Sequence, residues 1–305
     1  MTNLYPLFSE EKYRGIYIVP GTPVLYLEDF NAIVFSDLHI GFEEAVARGL
    51  DYSASKTSYV MGMFIPRIQL KRIIEVLDKV FNIVEPDKVI INGDIKHAFD
   101  RLLRQERKEV RQLLDYLLGK NVDEIILIRG NHDNYLPLVL RDYGLELYRK
   151  YELVSSNYHI LFTHGHLEVN PYDYDLVIIG HEHPSLRCLG FHRSPVFLKI
   201  PFDNDKYIVC LPAIGPYHPG TQVSTDPSSY LSPIIKKYGL LGKASIIMWF
   251  VLGKRLLSNE DFNYISSYID PNILSLQRFI INDEEHVIIE FKNLEDALSI
   301  CGSVL

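Results

Sequence analysis

KVIINGDIKHAFDRLLRQERKEVRQLLDYLLGKNVDEIILIRGNHD, residues 88–133, contains the repeating unit of the fold. Its ends, KVIIN (88–92) and EIILI (124–128), are short β-branched runs without polar alternation, the pattern of strands buried on both faces. Between them RQERKEVRQLLDYLLGK (104–120) reads as a helix that stops at Gly119. Upstream, AIVFS (32–36) is another such strand. PRIQLKRIIEVLDKVF (66–81) reads as a helix with Pro66 in its first turn and Ile73, Ile74, Leu77, Val80 and Phe81 on one face. Downstream, DLVII (175–179) repeats the strand pattern. Alternating strands and helices predict βαβ units, whose ligands lie beyond the carboxyl ends of the strands. From about residue 145 strand-like runs dominate: YHILFTH (158–164), VFLKI (196–200), YIVCL (207–211) and SIIMWFVL (245–252). They predict a second sheet packed on the first. Residues 212–234 read as a long ordered loop, 286–291 (HVIIEF) as a strand and 293–300 as a short helix.

With 305 residues, 47% hydrophobic and 23% charged, the chain has globular composition, which excludes a disordered, collagen-like or coiled-coil protein. The length suits one large domain with an appendage. The net charge of −8 argues against coating nucleic acid by bulk charge. From Arg255 onward three basic residues face nine acidic ones, so residues 1–254 carry only −2. The expected division is therefore a main domain over 1–254 and an acidic appendage over 255–305. The appendage is read as completing the core, or as a surface for a protein partner or a second copy. The longest apolar run, Ala244 to Leu252, falls short of a membrane span, and the first residues lack the order of a signal peptide. A cytoplasmic location away from any membrane is expected. Cys188, Cys210 and Cys301 are odd in number and far apart, which predicts reduced, inert thiols.

Five polar clusters follow strand-like runs in order: Asp37-Leu38-His39, Gly93-Asp94, Gly130-Asn131-His132-Asp133, His164-Gly165-His166 and Gly180-His181-Glu182-His183. Taken singly, such clusters are ordinary turn chemistry. Together they offer carboxylate, amide and imidazole donors and no thiolate. That set suits Mn, Fe(II), Co or Zn in a reactive site rather than a structural zinc site. Asp94, in a turn that Gly93 permits, is placed to bridge two ions. Asp37 and His39, one residue apart, can reach one ion from an extended segment.

The ordered set resembles the calcineurin-like metallophosphoesterase superfamily over about residues 30–215. LHIGFEEAVARG (38–49), NGDIKH (92–97), RGNHDN (129–134), IIGHEHP (178–184), LPA (211–213) and LSPII (231–235) are further similar to archaeal SbcD-related and ligase-associated DNA-processing phosphoesterases. The resemblance implies an α/β fold, a β-sandwich flanked by helices in α/β/β/α layers. It implies two divalent ions, Mn2+ first among them, one held by Asp37, His39, Asp94 and His183 and the other by Asp94, Asn131, His164 and His181. His132 is implied as a catalytic residue that binds no metal, and hydrolysis as in-line attack by a metal-bridging hydroxide. Asp133 either orients His132 or caps a loop or helix.

The substrate is less closely drawn. His166 and His97 are candidates to touch substrate, and His97 equally suits a surface helix entry. Arg101 and Arg104, with Lys108 and Arg111, form a basic stripe at helical spacing, which suits a phosphate chain or plain solvation. Tyr172, Tyr174 and Tyr217 lie in loops where bases could stack or cores could pack. Glu182 is expected to face solvent, and His159, His192, His218 and His286 to be structural or superficial. The first expectation is a phosphodiesterase cutting DNA or RNA. A hydrolase of small nucleotides is the second, and a silent binding scaffold, disfavoured because no donor is missing, the third.

Overall fold

The computed structural model describes residues 3–50, 65–188, 193–218, 220–254 and 258–302. Two sheets face each other. The first runs through Tyr5–Pro6, Ile16–Ile18, Leu25–Leu27, Ala32–Phe35, Lys88–Asn92, Glu124–Ile128 and Leu147–Tyr148. Its last four strands are parallel, with Ile33 opposite Val89 and Val89 opposite Ile125. The second runs through Leu274–Ile281, Glu284–Phe291, Ser245–Lys254, Phe197–Asp203, Lys206–Cys210, Leu176–Ile179, His159–Phe162 and Tyr151–Val154. Within it Lys206–Cys210, Leu176–Ile179 and His159–Phe162 are parallel. A small third sheet joins Pro184–Leu186, Ser194–Pro195 and Thr221–Gln222.

Alternation along each strand sorts the side chains into three apolar layers. Ala32, Val34, Ile90 and Ile126 meet Ile160, Phe162, Ile178 and Val209 between the sheets. Ile33, Phe35, Val89 and Ile91 turn the other way, onto Ile73, Leu77 and Val80 of helix Gln69–Phe81 and Val110, Leu113 and Leu117 of helix Arg104–Leu118. On the far side Val177, Ile179, Leu198 and Ile208 pack with Ile234 and Ile235 of helix Pro233–Tyr238 and with Leu294 and Ala297 of helix Leu294–Gly302. This is the expected α/β/β/α order. It also explains the uniformly apolar strands: each fully buried Val, Ile or Leu contributes about 1.5–3 kcal/mol, and both faces are covered.

Several local expectations change. Helix Gln69–Phe81 begins after Pro66, because Glu43 Oε1 accepts the N–H groups of Ile68 at 2.6 Å and Gln69 at 2.8 Å and so sets its start. The thiol expectation fails: Cys188 and Cys301 form a disulfide between residues 113 apart. An odd count argues against a framework of pairs, but a single closure depends on spatial proximity, and both cysteines sit in the outer apolar layer with helix Leu294–Gly302. Only Cys210 is free among the described residues, and burial pushes its thiol up. His192 and Arg255, with the expected division at 254/255, lie outside the described residues. Among the described residues no helix is long and apolar enough to cross a membrane.

The last strands continue the second sheet rather than standing apart, and Glu290 ties them in. It accepts from Tyr5 Oη at 3.0 Å and Lys199 Nζ at 3.3 Å, and it pairs with Lys292. Burial raises the Glu290 pKa, but Lys199 and Lys292 outweigh it and hold the carboxyl below its ordinary value. The folded state therefore binds this proton less readily than the unfolded chain. The resulting stability is present above the ordinary glutamate value of about 4.3 and is lost as pH falls below it. Glu290→Ala, which strands the Lys199 ammonium, should cost about 3 kcal/mol at pH 7 by urea denaturation. In Glu290→Gln the acid-side loss should shrink.

Candidate metal centre

Both sheets present the carboxyl ends of parallel strands to one rim. Asp37 follows Ala32–Phe35, Asp94 follows Lys88–Asn92, Asn131 follows Glu124–Ile128, His164 follows His159–Phe162, and His181 and His183 follow Leu176–Ile179. The chain must turn sharply there. Asp37, His39, Asp94, His181 and His183 all have positive φ, between 45° and 69°. For residues with a Cβ such backbone costs about 1–3 kcal/mol each and persists only where the surroundings hold it. Two glycines admit the close approach. A Cβ on Gly93 would lie 2.3 Å from His164 Nδ1, and one on Gly130 would lie 2.0 Å from Asp94 Oδ1.

The side chains converge in neighbouring groups, and Asp94 stands with His39 and His132 on one side as well as with His164 and His181 on the other. Donor atoms of Asp37, His39 and His183 lie within 4.8 Å of one another, as do those of Asp94, His164 and His181. His183 Nε2 stands 2.9 Å from Asp37 Oδ1. Asp94 Oδ2 is 3.6 Å from His39 Nε2 and 3.2 Å from His164 Nε2. The other Asp94 oxygen accepts the His132 N–H at 2.9 Å, which leaves Oδ2 to the donors. Asn92 O lies 2.9 Å from His164 Nδ1 and turns Nε2 inward, the usual arrangement behind a ligating histidine.

Asp37 and His164 are fully buried and Asp94 nearly so. Burial alone would raise both carboxyls, but His183 and His164 beside Asp37, and His164 and His132 beside Asp94, hold them below the carboxylate range. Against its own burial, His164 is pushed up to about 10 by Asp94 and Asp37. Two buried carboxylates thus demand positive charge, which protons supply when no cation does. Buried Asn131 Oδ1 has no hydrogen-bond partner, and His164 Nε2 has beside it only the carboxylates of Asp94 and Asp37. Such nitrogen and oxygen donors around paired carboxylates fit a divalent cation.

The remaining expected residues are placed as follows. The His132 ring stands edge-on to His39 at 4.9 Å, with Nδ1 against His97 O. Asp133 does not orient it: its buried carboxylate accepts the N–H groups of Ile95 at 2.8 Å, Lys96 at 3.2 Å and Gly130 at 2.8 Å, strapping the Asp94 and Asn131 turns together. His97 is buried and stacked on His132 at 5.6 Å, not a surface residue. His166 is half-buried, 5.4 Å from the His164 ring. The basic stripe breaks, since Arg101 precedes the helix and pairs with Asp100 at 2.7 Å while Arg111 pairs with Asp142. Arg104 is exposed at the helix start. Tyr174 is buried and bonded to Glu152, and Tyr217 stacks on Phe42 at 5.2 Å. Tyr172 packs on Phe202 and Tyr238.

Two expectations are corrected outright. Glu182 does not face solvent: it is buried and accepts the N–H groups of Leu231 at 2.6 Å and of Ser232, fixing the loop after the small sheet. His218 belongs to the site, stacked on His39 at 4.0 Å and 5.3 Å from the His183 ring. Its loop is drawn over the rim by Ile214 N–H donating to Ser36 O and Gly215 N–H to Asp37 O. The available signal was that YIVCL is another buried strand ending at this rim.

Residues 30–185 match the family model for calcineurin-like phosphoesterase, and the chain belongs to that family. No curated protein matches it. Among solved structures it is similar to the nuclease MPE of Pseudomonas putida, at 19% identity and TM-score 0.49, covering 76% of this chain and 91% of that one. It is also similar to an archaeal phosphodiesterase, at 16% identity and TM-score 0.31, covering 60% and 83%. Vacuolar protein sorting 29 of Cryptosporidium parvum is similar at 12% identity and TM-score 0.29, covering 86% and 97%.

A Cβ at Gly130 must displace Asp94. Gly130→Ala should therefore weaken Mn2+ binding at least tenfold by isothermal titration, while Gly302→Ala, where nothing lies within 4 Å, should bind as wild type.

Proposed function

We propose that this chain is a metal-dependent phosphodiesterase acting on nucleic acid. The observation that carries the reading is the placing of one carboxylate oxygen, Asp94 Oδ2, between two buried imidazoles, those of His39 and His164. Asp37, His39, Asp94 and His183 would hold one divalent ion, and Asp94, Asn131, His164 and His181 a second. A pair of such ions, Mn2+ or alternatively Fe, Co or Zn, supplies an acidified water and neutralises phosphate charge.

The chain's own groups do the rest. His97 O accepts from Nδ1 of His132, which fixes the ring and leaves Nε2 as its other polar atom. With a proton on Nε2, His132 would donate to a phosphate oxygen or to the departing oxygen. Its orienting partner is thus a backbone carbonyl rather than Asp133. Buried Asp133 instead keeps the Asp94 and Asn131 turns in register, so its effect on turnover passes through the donors. The preference for nucleic acid rests on the motif resemblance to DNA-processing phosphoesterases, and the completeness of the donor set speaks against a silent scaffold.

The test is Mn2+-dependent cleavage of end-labelled single- and double-stranded DNA and RNA, beside bis-p-nitrophenyl phosphate and 2′,3′-cyclic nucleotides. Asp94→Asn should abolish turnover of every substrate. His132→Ala should lower kcat by about 10²–10⁴ while Mn2+ binding persists. Cleavage of the small esters alone would remove the nucleic-acid part of the reading, and an unaffected His132→Ala would remove that residue's role.

A further inference from the structure

The donors form the floor of the site, and a cavity beside it is unused by the chemistry above. About 440 Å³ in volume, it opens next to Asn131 and is lined by Phe99, Arg129, Asn134, Arg149, His166 and Leu167. A second cavity of about 410 Å³ shares Phe99, Arg129 and Asn134 with it and continues to Tyr135 and Pro137. The two make one trough leading away from the metal centre.

Its walls are unusual in what they expose and how firmly they hold it. Phe99 is 45% exposed, yet its backbone is fixed from three sides. Asn134 Nδ2 donates to Phe99 O at 3.0 Å. The fully buried Lys96 ammonium donates to the carbonyls of Ala98 and Arg101, and Glu106 accepts the N–H groups of His97 and Ala98. The Phe99 and His132 rings stand perpendicular at 5.8 Å. An exposed aromatic ring carried on a backbone held in this way offers a surface on which a partner can stack. The same Asn134 side chain accepts from Arg129 Nη2 at 2.9 Å, so one amide sets both the guanidinium and the ring. Arg149 is exposed across the cavity and makes no ion pair among the described residues. Among the described residues no acidic side chain lines the first cavity. In the second, Asp100 is paired with Arg101, and buried Asp133 is bonded to backbone N–H groups.

Resting on the phosphodiesterase reading above, we propose that the trough holds a single nucleic-acid strand, with Arg129 and Arg149 on the phosphate adjoining the scissile one and Phe99 stacked on an unpaired base. Guanidinium groups grip phosphate oxygens in pairs, and a flat ring accepts any base that is free of its complement. Asn134 is a positioning residue for both. The attraction is local and charge-based, so it coexists with a net charge of −8 and weakens with salt.

The test measures binding of a fluorescent, cleavage-resistant phosphorothioate dT12 by anisotropy, with Mn2+, across a range of salt. Arg129→Ala combined with Arg149→Ala should raise Kd at least tenfold and reduce the salt slope by about 1. Phe99→Ala should raise Kd about fivefold or more with the slope unchanged, and Phe99→Trp should restore it. Arg141→Ala, exposed and outside the trough, should bind as wild type. Trough variants that bind as wild type, an Arg141→Ala loss as large as theirs, or a blunt duplex bound as tightly as dT12 would overturn the proposal. Turnover of bis-p-nitrophenyl phosphate by the wild-type protein separates the two failures. Turnover with an indifferent trough overturns this inference alone, and no turnover of any diester overturns the hydrolase reading beneath it.

Discussion

Two carboxylates, Asp37 and Asp94, stand almost wholly out of water at the ends of neighbouring parallel strands, and the structure around them is arranged to tolerate that. Removing a charge from water is costly unless opposite charge is supplied. Here imidazoles arrive against them from the other sheet, His164 and His183, and with them the nitrogen donors that would hold a cation. The sandwich is therefore more than a scaffold. Packing one parallel set of strands against another is what brings five strand ends to one rim, and the apolar layer between the sheets fixes their spacing. The left-handed turns at Asp37, His39, Asp94, His181 and His183 are a local consequence, since each donor must turn back over its own strand.

The supporting residues share one feature: they hold backbone. Asp133 binds three N–H groups across two turns, Glu182 two across a loop, and Glu106 those of His97, Ala98 and Leu103. Each is a buried acidic side chain that accepts from peptide donors and, among the described residues, forms no salt bridge with a lysine or arginine. Backbone held in this way keeps donor atoms within the narrow tolerances that coordination and in-line chemistry require.

The layers and the donors were legible in the sequence for the same reason. Strands covered on both faces are apolar throughout, so KVIIN and EIILI announce themselves and the polar residue that breaks each run marks the rim. The seven expected donors all follow such runs, and six of them, all but Asn131, fall into groups whose donor atoms lie within 4.8 Å of one another. What escaped was set by contacts between distant segments. His218 lies in a loop of no periodicity, pulled over the site by two backbone bonds to Ser36 and Asp37. The Cys188–Cys301 closure depends on where the last helix docks, which spacing does not encode. Asp133 sits beside His132 in sequence, but the turn sends its carboxylate to Ile95, Lys96 and Gly130. Strand Leu274–Ile281, on the sheet edge and half-exposed, carries too mixed a pattern to stand out.

The central claim is that Asp94 is shared by two cations. It is tested most directly by anomalous diffraction from crystals of the full chain grown with Mn2+. The account predicts two peaks about 3.5–4 Å apart, both in contact with Asp94, one reached by His39 and His183 and the other by His164 and His181. A single peak, or two that do not share Asp94, would contradict it.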